Sequence, residues 1–341
     1  MPIDPFERKA ANCVAAESGY SAPYLYLLED EQPSSSLREA TTYTRRKVRS
    51  VAQAIHAGYG QGSGDAYKPW IRIRRNFSSP VSHQVFDSVG IHARNHHFLS
   101  TLEFHTALVC GYLGAVELRE CLPLWPFSHP HPDSARNART LREAPQVRGL
   151  LELADKAGID HGCFVGTTVP YIASIDLMLW FRFGGKLHLT GISCKPREIA
   201  DQSARAKQRI ELDRIYCSTI GAHHVHEDGS VFDQELLKQL LWLRPLVSEI
   251  RTHRGSARLD DFAASFDEFA TERCVSESAV AAGQKIGLAR DAAFKFLRLS
   301  VWLHLIDVDL SQRLQMKRPI KRGSDRILKA LKARYWGDQH V

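Results

Sequence analysis

The sequence lacks the features that mark membrane-spanning and secreted proteins. It has no run of about 20 apolar residues, the length that crosses a bilayer. Its first residues, MPIDPFERKAANC, do not place a basic start before an apolar stretch, as a secretory signal would. Its seven cysteines include no CxxC pair. An odd number of thiols without this pairing is typical of a reducing compartment and argues against a disulfide framework or a zinc ribbon. We therefore expect a bacterial-type cytoplasmic protein without membrane contact.

A nucleotide-binding loop is also missing. The glycine-rich segment GYGQGSG (58–64) is not followed by the Lys-Ser or Lys-Thr that a Walker loop needs. We interpret it as a flexible loop whose neighbours Lys68 and Arg72 contact DNA phosphates. A surface loop that binds no ligand is the alternative.

Positive charge is present and unevenly distributed. The chain carries 45 Lys and Arg against 38 Asp and Glu, a net charge of +7. Three basic blocks stand out: Arg45, Arg46, Lys47 and Arg49; Arg72, Arg74 and Arg75; and residues 316–334, with eight Lys or Arg against one Asp. Any one block could be solubilising surface charge. Three in one chain favour a nucleic-acid partner.

The pattern along the chain predicts three regions. Residues 1–40 form an N-terminal extension with a turn-rich acidic linker. Residues 41–228 alternate helical and strand-like segments, so we predict a mixed α/β domain. Within it we expect a helix over 96–114, a β-hairpin of 171–183 and 186–196 around Gly184-Gly185, and a long helix over 197–221. Residues 229–341 form a third region that is helical, apart from one strand near 302–309.

The third region resembles a winged helix-turn-helix in layout. SESAVAAGQKIGLARDAAFKFLRLSVWLHLIDVDL (276–310) predicts a helix, a tight turn at Gly287, a second helix and a strand. Three basic positions on the second helix, Arg290, Lys295 and Arg298, could contact DNA; docking a protein partner is the alternative. Lys321 and Arg322 in the basic tail are further candidates for phosphate contacts.

One acid in the predicted hairpin is unusual because its strand neighbours are apolar. Asp176 would be costly in such a strand unless a cation compensates its charge. The second strand brings Ser193-Cys194-Lys195 alongside, and alternation places Ser193 and Lys195 on one face, with Cys194 pointing away. An acid followed across a hairpin by a polar residue, any residue and a lysine is the PD-(D/E)xK arrangement. A buried Asp–Lys ion pair is the alternative.

This arrangement predicts metal-dependent cleavage of a phosphodiester. Asp176, a second acid and the backbone carbonyl of Cys194 would ligate a divalent cation, and Lys195 would stabilise developing charge. The second acid is Glu103, which lies among core residues in Leu102-Glu103-Phe104. Glu103 also sits three residues after Ser100, so a capping box is its simpler role. The two roles are compatible.

Several segments together resemble the TnsA endonuclease subunit family of heteromeric Tns-type transposases. The segments are GYGQGSGDAYKPWIRI (58–73), SHQVFD (82–87), HHFLSTLEF (96–104), VELRECLPLWP (116–126), ASIDLML (173–179), GISCKP (191–196) and RIELDRIYC (209–217). They occur in the family's order and cover roughly residues 55–227. The resemblance is fainter in the C-terminal region.

The resemblance implies a restriction-endonuclease-like fold and a subunit that cuts the 5′ strand at each transposon end in double-stranded DNA. It implies Glu103 and Asp176 as metal-binding acids, Lys195 as the catalytic lysine and Mg²⁺ as the cofactor, with Mn²⁺ as a substitute. The implied partners are a DDE-type transposase (TnsB-like) and an AAA+ ATPase regulator (TnsC-like). Ser193 departs from the family, which usually has Gln or Glu at this position. A hydroxyl is a shorter and weaker ligand, which would leave a cation with less compensation.

Three functions remain open on the sequence. The leading hypothesis is a catalytic transposase subunit with Glu103, Asp176, Ser193 and Lys195 at its site. The second is a non-catalytic DNA-binding or assembly subunit in which Ser193 marks a degraded site. The third is a stand-alone restriction-type nuclease.

Overall fold

The computed structural model describes residues 38–74, 83–136 and 144–337. In this part of the chain the strands are β1 Val85–Asp87, β2 His96–Phe98, β3 Glu117–Leu124, β4 His129–Pro130, β5 Gln146–Val147, β6 Ala173–Phe183, β7 Lys186–Cys194 and β8 His223–Glu227. The helices are α1 Arg38–His56, α2 Thr101–Tyr112, α3 Leu150–Lys156, α4 Arg197–Gln202, α5 Ala204–Thr219, α6 Gln234–Leu243, α7 Val247–His253, α8 Ala257–Phe269, α9 Val275–Lys285, α10 Arg290–Trp302 and α11 Asp325–Trp336.

A four-stranded mixed sheet is the centre of the first part. Its strand order is β3-β6-β7-β8, antiparallel except for the parallel pair β7–β8. Gly184 and Gly185 connect β6 to β7 with φ of 57° and 74°. Two consecutive positive φ values suit a tight hairpin turn, which glycine adopts without steric cost. The predicted hairpin is therefore confirmed.

Helices cover both faces of this sheet, and β6 contributes to both cores. Leu177, Leu179 and Phe181 belong to the cluster that contains α2 and the C-terminal helices. Met178 and Trp180 belong to the cluster formed with α3 and α5. This alternation is expected for a strand buried on both faces. The fold is the predicted mixed α/β arrangement, followed by a helical C-terminal region, and it is consistent with a restriction-endonuclease-like fold.

Helix α5 packs unusually close to the sheet at Gly191. A Cβ added to Gly191 would lie 2.4 Å from Cys217 Sγ and 2.7 Å from Ile175 Cδ1. No side chain fits there, so glycine on β7 sets the distance between α5 and the strands.

Two predicted helices have different bounds in the structure. The segment 96–114 begins as strand β2, which places His96 and His97 beside β1, and α2 starts only at Thr101. Helix 197–221 is broken at Ser203, whose hydroxyl accepts from the amide of Ala206 and so caps a new helix.

The C-terminal region contains the predicted helix–turn–helix but not the predicted strand near 302–309. Helices α9 and α10 flank a turn in which Gly287 has φ 71°. After Trp302 the chain turns at His304, with φ 59°, and the His304 ring lies 2.9 Å from the backbone oxygen of Tyr112. Ile306 and Val308 then pack into the core without a partner strand. The expectation of a strand was wrong because burial, and not pairing, accounts for its apolar residues. Among the described residues after β8 there is no strand that could serve as a wing.

Helix α11 returns to the nuclease-like sheet. Tyr335 Oη donates to the buried carboxylate of Glu227 at 2.6 Å, and Arg334 Nε donates to the same oxygen at 2.9 Å. Thr190 Oγ1 donates to the backbone oxygen of Tyr335 at 2.7 Å. The last part of the predicted basic tail is therefore attached to β7 and β8.

The division at residues 228/229 and the N-terminal extension stay predictions. One hydrophobic cluster contains residues from both sides of that boundary, such as Phe98 and Phe262. Residues 1–37 of the extension, and Arg75 of one basic block, lie outside the described residues. None of the described helices is long and apolar enough to cross a membrane.

Candidate active site

Asp176 lies where the pairing of β6 with β7 ends. The register runs from Phe183 opposite Lys186 to Leu177 opposite Ile192. Two residues beyond Ile192, the amide of Cys194 donates to Asp176 Oδ2 at 2.7 Å. The Cys194 amide is therefore bonded to the Asp176 carboxylate and not to a backbone oxygen of β6. The regular pairing of the two strands ends here.

The alternation of β6 also breaks at Asp176. Ile175 Cδ1 and Met178 Cε both lie within 3.4 Å of the position that a Cβ on Gly191 would occupy. Residues three apart on a regular strand face opposite sides of the sheet. Ile175 and Met178 face the same side, so the regular alternation of side chains is interrupted between them. On β3, the position opposite Asp176 is Cys121, whose φ is 47°. Backbone strain in a non-glycine residue of this kind is concentrated at functional sites.

Glu103 is held at the start of α2. Its amide donates to Ser100 Oγ at 3.2 Å, while its carboxylate accepts from the Ser100 hydroxyl at 2.9 Å and from the Leu99 amide at 2.8 Å. The predicted cap is therefore present. Glu103 is only 4% exposed. These contacts fix the carboxylate in one orientation within the core.

The carboxyls of Glu103 and Asp176 are close enough to influence each other. Burial raises the pKa of Glu103, and the charge of Asp176 raises it further. Burial also raises the pKa of Asp176, against the opposing effects of the Cys194 amide and the Lys195 ammonium. Two buried acids of like charge are costly unless a cation lies between them. A cation bound between the two carboxylates would therefore reduce the cost of their burial.

Lys195 follows the last residue of β7 and supplies part of that positive charge. Its backbone amide donates to the backbone oxygen of Glu227 at 2.9 Å, which continues the pairing of this strand with β8. Burial raises the pKa values of Glu103, Asp176 and Asp213, and the positive charge of the Lys195 ammonium partly opposes that rise. Cys194 Sγ lies 3.8 Å from Thr106 Oγ1 on α2, the helix that also carries Glu103. The charges of Asp176 and Glu103 raise the pKa of this thiol, so its orientation away from the acids stays a prediction.

Asp213 on α5 is a site residue that the sequence analysis missed. Ser193 Oγ donates to its Oδ2 at 2.8 Å, and Arg209 Nη2 lies 2.6 Å from its Oδ1. Burial raises the pKa of Asp213 to about 7, and the charge of Asp176 contributes to the rise. Arg209 and Asp213 are four apart on a helix, so their pairing reads as an ordinary helical ion pair in the sequence. The sequence carries no signal for its role, because the burial of Asp213 follows from the packing of α5.

The residues predicted to bind DNA lie outside this group. Lys68 Nζ donates to the Ala57 oxygen at 2.8 Å, and the Arg72 guanidinium lies 4.0 Å from the centre of the Tyr59 ring. Arg298 donates to the Arg244 oxygen at 2.9 Å. Four others occupy exposed positions: Arg290 and Lys295 on α10, Lys321 beside Gln312, and Arg322 paired with Asp267 at 2.9 Å. Their role in DNA binding stays a prediction.

The site offers a metal ion few protein ligands. No three His, Cys, Asp or Glu side chains among residues 38–74, 83–136 and 144–337 are grouped so that they could hold a metal ion. The candidate ligand set is smaller: the carboxylates of Glu103 and Asp176 and the backbone carbonyl of Cys194. Mg²⁺ is commonly bound through one or two carboxylates and keeps several waters. The raised pKa values of both acids fit the binding of a cation of this type.

Comparisons with known proteins agree with the resemblance found in the sequence. No known protein-family profile matches the chain. The chain is 28% identical over 167 residues to the transposon Tn7 transposition protein TnsA of Escherichia coli. The match covers 49% of this chain and 51% of that protein. The chain thus spans about half the length of the curated relative that it matches. The similarity supports a TnsA-like or related nuclease.

Proposed function

We propose that this chain is the Mg²⁺-dependent endonuclease subunit of a heteromeric transposase. It would cut the 5′ strand at transposon ends in double-stranded DNA and would leave 3′-hydroxyl and 5′-phosphate products. The observation that carries the proposal is the grouping of Glu103, Asp176 and Lys195 where the pairing of β6 with β7 ends. The similarity to the Tn7 protein supports the context of transposition.

The chain's own residues have distinct parts in this reaction. Glu103 and Asp176, with the Cys194 carbonyl, would hold the divalent cation. When bound, that cation supplies Lewis-acid stabilisation of the phosphate and lowers the pKa of the attacking water. Lys195 would place its ammonium against a non-bridging phosphate oxygen, where negative charge develops. The hydrogen bonds from Leu99 and Ser100 keep Glu103 oriented, so little reorganisation is needed when DNA arrives.

The partners follow from the same proposal. A subunit that cuts only the 5′ strand needs another subunit for the 3′ strand. We propose a DDE-type transposase (TnsB-like) for that cut and an AAA+ ATPase regulator (TnsC-like) for control, all in the bacterial cytoplasm near the nucleoid. Mn²⁺ should replace Mg²⁺.

A strand-resolved cleavage assay tests the proposal. The full chain is combined with its transposase and ATPase subunits, Mg²⁺ and DNA that carries the element's ends, labelled separately on each strand. Asp176→Asn and Lys195→Ala should each reduce 5′-strand cleavage by about 10²-fold or more and leave 3′-strand cleavage intact. Lys207→Ala, a charge loss at an exposed position of α5, is the matched control. Equal 5′ cleavage by wild type and Asp176→Asn would refute the site.

A non-catalytic scaffold is the second candidate, and one observation favours it. The Ser193 hydroxyl, which stands where the resembled family has Gln or Glu, contacts Asp213 and His224. The site therefore gains no additional ligand from this position. A scaffold would give 3′ cuts in the same assay without any 5′ cut from wild type.

A further inference from the structure

Arg209 on α5 places a second cation beside the candidate active site. Its Nη2 donates to the backbone oxygen of Ser174 at 3.2 Å and lies 2.6 Å from Asp213 Oδ1. Ser174 precedes Asp176 by two residues, which is about 7 Å along an extended strand. Burial raises the pKa of Asp176, and the positive charge of Arg209 is among the effects that oppose this rise. The guanidinium therefore lies close enough to Asp176 to act on its charge.

Arg209 and Lys195 approach the same point of β6. The register that places Leu177 opposite Ile192 would place Ser174 opposite Lys195 if the pairing continued. The pairing of β6 with β7 ends before that point, and the Ser174 oxygen accepts from Arg209. Ser174, Lys195 and Arg209 are each partly exposed. This end of the site therefore carries two cations and is open to solvent.

Two side chains hold Arg209 in one orientation. Asp213 Oδ1 pairs with the guanidinium, and Asp213 Oδ2 accepts from Ser193 Oγ at 2.8 Å. Both carboxylate oxygens are thus engaged, so Asp213 is suited to positioning the arginine. A planar guanidinium that is already oriented loses little conformational freedom when it binds a planar or tetrahedral oxyanion.

The arginine has a further donor group that its neighbours do not use. A guanidinium carries five N–H groups. Nη1 of Arg209 is buried and donates to no residue in the described part of the chain. A buried donor without an acceptor destabilises the folded state. A guanidinium that turned toward a phosphate oxygen would regain that loss, whereas an ion pair with Asp213 alone does not account for the unused donor.

We propose that Arg209 binds a DNA phosphate one or two nucleotides from the one that is cut, and that Asp213 and Ser193 position it for this contact. Lys195 would contact the scissile phosphate, and Arg209 is offset from the site toward Ser174. Successive phosphates on one strand are about 3.4 Å apart along the duplex axis, so an offset of this size reaches a neighbouring phosphate. The inference rests on the proposed function, since the contact would place the DNA that the site cuts.

Neutral replacements of single phosphates test the contact apart from cleavage. Fluorescent duplexes that carry the element end contain one methylphosphonate at successive positions around the expected cut, and their anisotropy with the full chain is measured in EDTA. Wild type should bind about tenfold more weakly when the contacted phosphate is neutral. In Arg209→Gln/Asp213→Asn the same replacement should change binding by less than about twofold, because the cation is absent. A direct contact makes the two losses non-additive, which a purely structural role would not.

The double variant is chosen to keep the site folded. It removes one positive and one negative charge together, so no buried carboxylate loses its counter-charge, and asparagine keeps an oxygen that accepts from Ser193. The slope of log K against log[salt] should become smaller in magnitude by about 0.9 for the lost phosphate contact. Circular dichroism and thermal unfolding verify that each variant is folded.

Lys207→Ala is the matched control. Lys207 is exposed on the same helix, and residues two apart on a helix do not share a face with each other. Every methylphosphonate should therefore keep its wild-type effect in this variant, although it also loses a positive charge.

Arg209→Lys gives a second measurement that does not depend on the folding of the double variant. It keeps the charge beside Asp213 but loses the planar fork, so the effect of the methylphosphonate should be smaller than in wild type. An unchanged effect would contradict a contact made by the guanidinium.

The outcomes separate this inference from the proposed function. Equal methylphosphonate profiles for wild type and the double variant would overturn the contact, and so would wild type that binds no duplex at low salt. A failed proposed function would instead appear as a profile that depends on Arg209 together with wild type that cuts no 5′ strand in the assembled complex.

Discussion

Ser193 Oγ donates a hydrogen bond of 2.8 Å to Asp213 Oδ2 and lies 2.9 Å from His224 Nε2. A hydroxyl has one proton, so with that proton given to Asp213, the ring of His224 must donate through Nε2. Burial and the neighbouring imidazoles lower the pKa of His224 to about 4, which keeps the ring neutral. Ser193 therefore orients Asp213 between β7 and α5.

The first prediction concerns this hydrogen bond. Ser193→Ala removes a partner from the buried Asp213 and from His224, so the free energy of unfolding should fall by about 1–3 kcal/mol. Urea unfolding at neutral pH measures it. The control is Ser218→Ala, at an exposed position of α5, the helix that carries Asp213. It should change the free energy of unfolding by less than about 0.5 kcal/mol. Equal stability of the two variants would show that the hydroxyl contributes nothing.

Asp176→Asn should stabilise the protein at neutral and higher pH. The folded state raises the pKa of Asp176, so it holds the proton more tightly than the unfolded chain does. Stability from this group is therefore present at low pH and is lost as pH rises through the ordinary carboxyl range to the folded pKa. Asparagine keeps an oxygen that accepts from the Cys194 amide and removes the negative charge. The removal also ends the charge repulsion between this position and Glu103.

Thermal unfolding across pH measures this effect. The advantage of Asp176→Asn should be largest above neutral pH and should shrink as the solution is acidified. A constant difference at every pH would indicate that ionisation of Asp176 does not contribute.

Divalent cations should stabilise the wild type and leave Asp176→Asn almost unchanged. A ligand that binds only the folded state adds about 2.7 kcal/mol when its concentration is 100 times its dissociation constant. Thermal unfolding with increasing Mn²⁺, and with Mg²⁺ in parallel, measures the shift. The same increase in both proteins would place the cation away from Asp176.

Gly191→Ala should destabilise the sheet because its methyl group would meet Cys217 Sγ at 2.4 Å. Overpacking of this kind costs about 1–3 kcal/mol. It should also move α5, and with it Asp213. The double variant Gly191→Ala/Cys217→Ala removes the nearest obstacle and should regain part of the lost stability. An additive loss in the double variant, measured by urea unfolding, would mean that the contact with Cys217 is not the cause.

The sequence indicated those parts of the site that depend on local patterns. Ser100 and Glu103 form a cap of known spacing, and Gly184-Gly185 fixes the hairpin that brings Asp176 to Cys194. Neither Asp213 nor the break in alternation at Asp176 could be predicted, because both depend on how closely α5 approaches the sheet. That distance is set by tertiary packing.

The C-terminal strand was mispredicted for a related reason. Residues 302–309 have the composition of a strand, but no partner strand lies beside them in the described part of the chain, and Trp302, Ile306 and Val308 are buried in the core formed with the surrounding helices. Residues typical of strands fit any half-buried extended segment. Whether such a segment pairs with another strand depends on the elements around it.

The contact between Glu227 and Arg334 has a consequence for the order of folding. Glu227 ends β8 with its carboxylate fully buried, and the arginine that neutralises it lies 107 residues further along the chain. During synthesis, the last strand of the sheet is made long before its counter-charge exists. A contact of such long sequence separation forms slowly, since a large loop must close first. We therefore expect β8 to become ordered only after α11 has left the ribosome, and the nuclease-like half to mature as late as the helical half.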